Sequence, residues 1–312
     1  MTTWTVPRAH RAALDHALAL AAGAPWCEGL VLRGSTALLA WLPGTAREPA
    51  DLDWVVRPRA FVPVDPVHRR GYVDTLDGLR TWPEAAHGAA DPELWSGDDH
   101  LDTRGLRARP APEGLAWVAE EAEELDPVPF GDLDELIARD PVVAPGLRLD
   151  PDGFDTGGSW PYGDYGTPGV RVTVPWHADG LPPGVLRLEF SWDEPLPEPP
   201  VAAAVPRADG GPPTVVAAAG PALCLAWKLR WLLTEGGGDG PGAARGKDLY
   251  DAVLLAERPG TRLSPRLWRY VRSAVPHPVG PQAVRGCRVD GAGPGGAAAD
   301  LLERLARALE RT

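Results

Sequence analysis

The chain has 312 residues, 44% hydrophobic and 24% charged, a balance that supports a buried core and excludes a disordered or collagen-like protein. Its net charge of −12 argues against broad affinity for polyanions such as DNA, because phosphate contacts need clustered Lys and Arg. Cys27, Cys224 and Cys287 lack the spacing of a zinc site or a disulfide framework, and no apolar run reaches the roughly 18 residues that span a bilayer, so a reducing, cytoplasmic setting without membrane contact is expected.

Residues 7 to 22 repeat apolar side chains at helical spacing up to Gly23. A short apolar strand, Gly29 to Leu32, runs into Arg33-Gly34-Ser35-Thr36; Ala37 to Leu42 then reads as a short helix stopped by Pro43-Gly44, and Asp51 to Val56 as a second strand. From about 63 to 165 the pattern is irregular, with helices expected over 113 to 125 and 132 to 139, the latter capped by Asp132. Segments 169 to 176 and 184 to 192 alternate apolar and polar residues around Asp179-Gly180, as a strand, a turn and a strand do. The proline- and glycine-rich stretches 195 to 214 and 236 to 246 read as linkers. Pro221 opens a helix to about Thr234, another starts near Lys247, and helices are expected over 264 to 274 and 297 to 311. The chain thus divides into a mixed core, 1 to 205, with an irregular insertion at about 63 to 165, and a helical region, 206 to 312.

The residues suited to chemistry lie early. On an extended strand Asp51 and Asp53 present two carboxylates to one face, which repel unless a cation sits between them. Mg²⁺ takes one or two carboxylates plus substrate phosphates. Gly34 and Ser35 open a helix, whose unpaired N–H groups favour phosphate, with Ser35 and Thr36 adding hydroxyls. Each piece alone also reads as a solvated strand start and an ordinary turn.

Together they resemble the polymerase-beta-like nucleotidyltransferases, and within them the AbiEii/AbiGii toxin family, which includes the MenT-type toxins. The resemblance rests on Leu32-Arg33-Gly34-Ser35-Thr36-Ala37-Leu38, Arg47 and Asp51-Leu52-Asp53-Trp54, then on Leu225-Ala226-Trp227-Lys228-Leu229-Arg230 and Arg245-Gly246-Lys247-Asp248-Leu249-Tyr250-Asp251. It implies an α+β fold with a mixed sheet and a helical C-terminal region. It also implies transfer of a nucleoside monophosphate from a nucleoside triphosphate to an acceptor hydroxyl, with Mg²⁺ (or Mn²⁺) on Asp51 and Asp53. Gly34, Ser35, Thr36, Arg47 and Lys228 would hold the nucleotide, and Asp248 matches the family's late acidic residue. A tRNA acceptor, an antitoxin partner and a role in a toxin-antitoxin or phage-defence pair follow from the same likeness. Pro49 stands where the family tends to have Ser or Thr.

Other readings stay open on the residues themselves. Lys228 is one of only two lysines among 31 basic residues, and a compact ammonium fits between phosphate oxygens where a guanidinium does not; the plain reading is a surface lysine. Lys247 suits a pair with Asp251 one turn on, and Asp248 suits any first helical turn. Glu189 is a base for the acceptor, a further metal ligand, or a strand charge paired with Arg187. Arg262, Arg266, Arg269 and Arg272 form either a stripe that grips RNA or a solvated face. A small-molecule acceptor such as an aminoglycoside and a non-catalytic nucleotide-binding module are the alternatives to a tRNA-directed enzyme.

Overall fold

The computed structural model describes residues 3–56, 61–63, 115–117, 129–160, 168–192, 194–236, 244–275, 279–290 and 296–310. Along them run α1 (Val6–Ala22), β1 (Leu30–Arg33), α2 (Gly34–Trp41), β2 (Leu52–Val56), β3 (Phe61–Pro63), β4 (Leu115–Trp117) and α3 (Leu133–Arg139). Next come β5 (Val142–Ala144), β6 (Leu147–Leu149), β7 (Asp155–Trp160), β8 (Gly169–Ala178), β9 (Gly184–Ser191), β10 (Val201–Val205) and β11 (Thr214–Ala218). The remainder holds α4 (Pro221–Gly236), β12 (Ala244–Arg245), α5 (Gly246–Glu257), α6 (Pro265–Arg272), α7 (Pro281–Arg285), β13 (Val289–Asp290) and α8 (Ala298–Glu310).

Nine strands form one mixed sheet in the order β10-β11-β1-β2-β9-β8-β6-β5, with β7 also on β8. β1 pairs with β11 and β2 with β9 in parallel, and the other pairs are antiparallel. Side chains alternate across this sheet, so β1 and β2 divide their residues between two cores. Leu30, Leu32, Leu52, Trp54, Leu188 and Phe190 face α1 and α3. Val31 and Val55 face the opposite way, into a core built with α4, α5, α6 and α8. Each buried leucine contributes about 1.5–3 kcal/mol, and both cores are made largely of leucine, alanine and valine.

The helices over 6–22, 133–139, 221–236, 246–257, 265–272 and 298–310 match the periodic segments, and β8 and β9 match the alternating ones. Four expectations need correction. Of the helix expected over 113 to 125, only 115–117 are described, and these are strand, paired with β3. Residues 195 to 214 are no simple linker, because they contain β10, which pairs along its length with β11; a run of Val201 and alanines pairs readily once a neighbour satisfies its backbone, whatever prolines flank it. Asp132 stands at the start of α3 without capping it, since its carboxylate accepts from Trp26 Nε1 at 2.9 Å and from Arg139 Nη2 at 3.0 Å. Arg262, Arg266, Arg269 and Arg272 do not form one exposed stripe: Arg262 precedes α6, and buried Arg266 donates to Pro197 O. His68, His87 and His100, which have no metal-binding spacing and are expected on surface loops, lie outside the described residues.

Candidate active site

The site begins where β1 turns into α2. Gly34 has φ +68°, the left-handed region that favours glycine. A Cβ there would collide with Asp53 Oδ2 and stand 2.9 Å from Asp53 Cγ, so the bare glycine is what lets the Asp53 carboxylate lie against the turn. Ser35 is buried, and its hydroxyl has no hydrogen-bond partner among the described residues. Thr36 Oγ1 instead donates to Asp51 O at 2.8 Å, fixing the backbone beside the first carboxylate. One peptide earlier, the ring of His10, in α1, lies 2.9 Å from Ala50 O through Nε2. Trp176 Nε1 donates to His10 Nδ1 at 3.4 Å, so the ring carries its proton on Nε2 and donates to Ala50 O.

Strand register then assembles a row of charge. Arg33 on β1 is opposite Asp53 on β2, Asp53 is beside Glu189 on β9, and Glu189 is opposite Arg171 on β8. Directly paired residues share a face, and this one is the face of Val31 and Val55, toward the C-terminal helices. Asp51 sits in the bend just before β2, one residue outside the strand expected for it. Burial first, and then the charge of Asp51, push the Asp53 carboxyl up to about 7; Arg33 and Lys228 oppose this and Glu189 adds to it. Arg33 is partly buried, which works against its charge, yet Glu194 and Asp53 outweigh that cost and hold it charged above its ordinary range. Its guanidinium donates to Glu194 Oε2 at 2.8 Å and lies over the rings of Trp227 and Trp231.

From the helical side, α4 is apolar around most of its surface, and Lys228 is a buried charge within it. Its Nζ lies 2.5 Å from Asp248 Oδ1 and 3.2 Å from Asp251 Oδ2, both on α5, and over the ring of Trp231. Burial works against the ammonium, and Asp248 and Asp251 more than offset it, raising its pKa. Arg47 Nε reaches both oxygens of Asp251 at 3.2 Å. Asp251 therefore turns inward to these two cations and does not take Lys247, which is exposed. Glu189 pairs with Arg171 at 2.7 Å and not with Arg187.

Of the residues expected at the site, Gly34, Ser35, Thr36, Asp51, Asp53 and Glu189 gather at the β1–β2–β9 edge. Lys228 comes close enough from α4 to act on the charge of Asp53, while Asp248 and Arg47 surround the inner end of Lys228. Arg33, His10, Arg171 and Asp251 were not among the residues expected at the site, although Asp251 stood as a partner for Lys247. For Arg33 the signal was present, since it precedes the Gly-Ser turn on the same strand; the other three depend on strand and helix partners that no local pattern reveals. An open groove of about 620 Å³ lies elsewhere, lined by Ala22, Glu28 and Val216 among others. With Glu28 as the one charged side chain along it, convergence of charge and not concavity locates the site.

Among the described residues no three His, Cys, Asp or Glu side chains form a set able to hold a metal ion by themselves. The Asp51–Asp53 pair nevertheless fits a hard cation that draws its remaining ligands from substrate phosphates and water. Its mutual repulsion, seen in the raised Asp53 carboxyl, is what such an ion relieves.

Comparison with known proteins finds relatives in fold and in sequence. The fold is similar to that of MenT4, a nucleotidyltransferase toxin from Mycobacterium tuberculosis, with a TM-score of 0.53 and 16% identity over 98% of this chain and 84% of that one. JHP933 from Helicobacter pylori gives a TM-score of 0.47 and 14% identity over 99% of this chain and 93% of that one. No curated protein sequence matches significantly. The sequence model of the nucleotidyl transferase AbiEii toxin family, a type IV toxin-antitoxin system, matches residues 133–288, a span that takes in Glu189, Lys228, Asp248 and Asp251. The chain, half of which that model covers and whose two motif blocks meet in one charged site, belongs to the AbiEii family of nucleotidyltransferase toxins.

Proposed function

We infer that this nucleotidyltransferase moves a nucleoside monophosphate from a nucleoside triphosphate to an acceptor hydroxyl, with tRNA as the acceptor and a separately encoded antitoxin as its partner. The observation that carries the reading is Asp53. It stands in register between Arg33 and Glu189, against a glycine that could bear no side chain, with Lys228 from α4 acting on its charge.

In this reading Asp51 and Asp53 hold Mg²⁺ or Mn²⁺, which neutralises charge on the triphosphate when bound. Gly34 and Ser35 present the start of α2 to phosphate, and the Ser35 hydroxyl, without a partner among the described residues, donates to it. Thr36 acts through the Asp51 carbonyl. Lys228 and Arg47 bind the triphosphate, and Asp248 orients Lys228. Glu189, the remaining carboxylate of the row, takes the proton of the acceptor hydroxyl or joins the metal once Arg171 turns to substrate. Because phosphoryl transfer is governed by positioning and charge, the groups expected to matter most are those that fix Asp53 and Lys228. The chain divides functionally into 1–205, which supplies the carboxylates, and 206–312, which supplies Lys228 and Asp248; the division falls within the β10–β11 hairpin.

Incubating the protein with each radiolabelled ribonucleoside triphosphate and Mg²⁺, together with total tRNA or with an aminoglycoside panel, tests the reading. Label in tRNA, lost with Asp53→Ala, is the expected result. Label in an aminoglycoside would transfer the same chemistry to a small cationic acceptor, which the net charge of −12 suits. Nucleotide binding without any release of pyrophosphate would reduce the chain to a binding module.

A further inference from the structure

Asp251 touches neither carboxylate of the metal pair, yet its side chain is 0% exposed. A buried carboxylate is costly unless cations satisfy it, and a hydrophobic contact would tie α5 to its neighbours more cheaply. The cations it collects are instructive. Arg47 comes from the segment between α2 and β2, four residues before Asp51, and offers Nε to both Asp251 oxygens at 3.2 Å. Lys228 comes from α4 and approaches Oδ2 at 3.2 Å. The same carboxylate therefore links the loop that leads to Asp51 with the helix that carries the buried lysine.

Each cation keeps capacity in reserve. Lys228 has three N–H groups, of which Asp248 takes one, while Asp251 faces the ammonium as an ion pair. Arg47 uses Nε on Asp251, and its terminal nitrogens have no partner among the described residues. Asp248 and Asp251 lie three residues apart on α5, hence on one helical face, but they differ in reach: Asp248 is partly exposed and contacts Lys228, whereas fully buried Asp251 spans both cations.

We propose that Asp251 is a positioning residue that fixes Arg47 and Lys228 as a two-pronged cationic grip on the triphosphate, without itself touching the nucleotide. The inference deepens the nucleotidyltransferase reading above and rests on its assignment of a triphosphate to these two cations. Asp251 acts on nucleotide binding through preorganisation: with its charge in place neither flexible cation has to be ordered when the nucleotide arrives.

Asp251→Asn preserves shape and removes the charge. Dissociation constants are measured calorimetrically for the α,β-methylene analogues of the four ribonucleoside triphosphates with Mg²⁺, alongside steady-state kinetics and thermal unfolding. The variant is expected to weaken the best analogue about tenfold or more, of the order seen when one member of a buried charge pair is lost. The nucleotide KM should rise with it and the acceptor KM stay unchanged. Adding Arg47→Ala to Asp251→Asn should weaken binding by clearly less than the product of the two single losses, since Asp251 acts partly through Arg47 and coupled residues are not additive. Wild-type affinity in Asp251→Asn, or losses that multiply in the double variant, would overturn the proposal. A second variant covers a failure to fold: Arg47→Lys keeps the charge but loses the Nε–H that Asp251 grips, and it should show the same weakening, whereas wild-type affinity overturns the idea. If the wild-type protein binds none of the four analogues, the triphosphate reading itself falls, and this inference with it.

Discussion

Asp53 sits at the centre of the charge balance. Its carboxyl is raised to about 7 in the folded protein, first by burial and then by Asp51, against 3.8 ordinarily. The folded state thus holds that proton more tightly than the unfolded one, and stability declines as pH rises from about 4 to about 7. Asp53→Asn, which cannot ionise, should melt near wild type below about pH 4 and clearly above it at about pH 8, measured by calorimetry in EDTA, while turnover drops by roughly three orders of magnitude. Equal melting shifts at both pH values would refute the buried, repelled carboxylate. Gly34→Ala combines a strained φ with a collision against that carboxylate. It should cost about 1–3 kcal/mol by urea unfolding and also depress turnover; a variant with wild-type activity would show that the turn is not the cradle of Asp53.

At the scale of elements, what places the chemistry is register and burial. A one-residue slip of β2 against β9 would move Asp53 from the face of Val55 to that of Trp54, so pairing fixes function as firmly as residue identity does. Helix α4 delivers Lys228 only because its other side chains fill the helical core. Leu229→Ala, at a fully buried position, is expected to cost about 2–5 kcal/mol by urea unfolding, whereas Val215→Ala, on an exposed position of β11, should stay within about 0.5 kcal/mol. If the two variants unfold alike, α4 is not packed as described. These elements were largely legible beforehand, because helical and alternating periodicities in 6–22, 169–191, 221–236 and 298–310 report one buried face each. β10 and β11 were not, since short runs of valine and alanine beside proline carry no period of their own, and only their pairing, with each other and with β1, makes them strands.

For the whole molecule, the sheet carries Asp53 and Glu189 and the helix behind it carries Lys228, so a divalent ion and its nucleotide would join two parts of one fold. Mg²⁺ at about 100 times its Kd should raise wild-type stability by about 2.7 kcal/mol and leave Asp53→Ala unchanged; EDTA should abolish transfer without unfolding the protein. No helix among the described residues is long and apolar enough to cross a membrane. The sequence by itself determined the family likeness, most helices and the β8–β9 hairpin, and it marked Asp51, Asp53, Lys228 and Asp248 as candidates, because these depend on spacing along the chain. Only the tertiary structure decided that Arg33, Asp53, Glu189 and Arg171 stand in one row, that His10 and Thr36 hold the backbone around Asp51, and that Asp251 joins Arg47 to Lys228. Those relations are distances between residues up to about 200 positions apart, and no local period encodes a partner that arrives from another strand or helix.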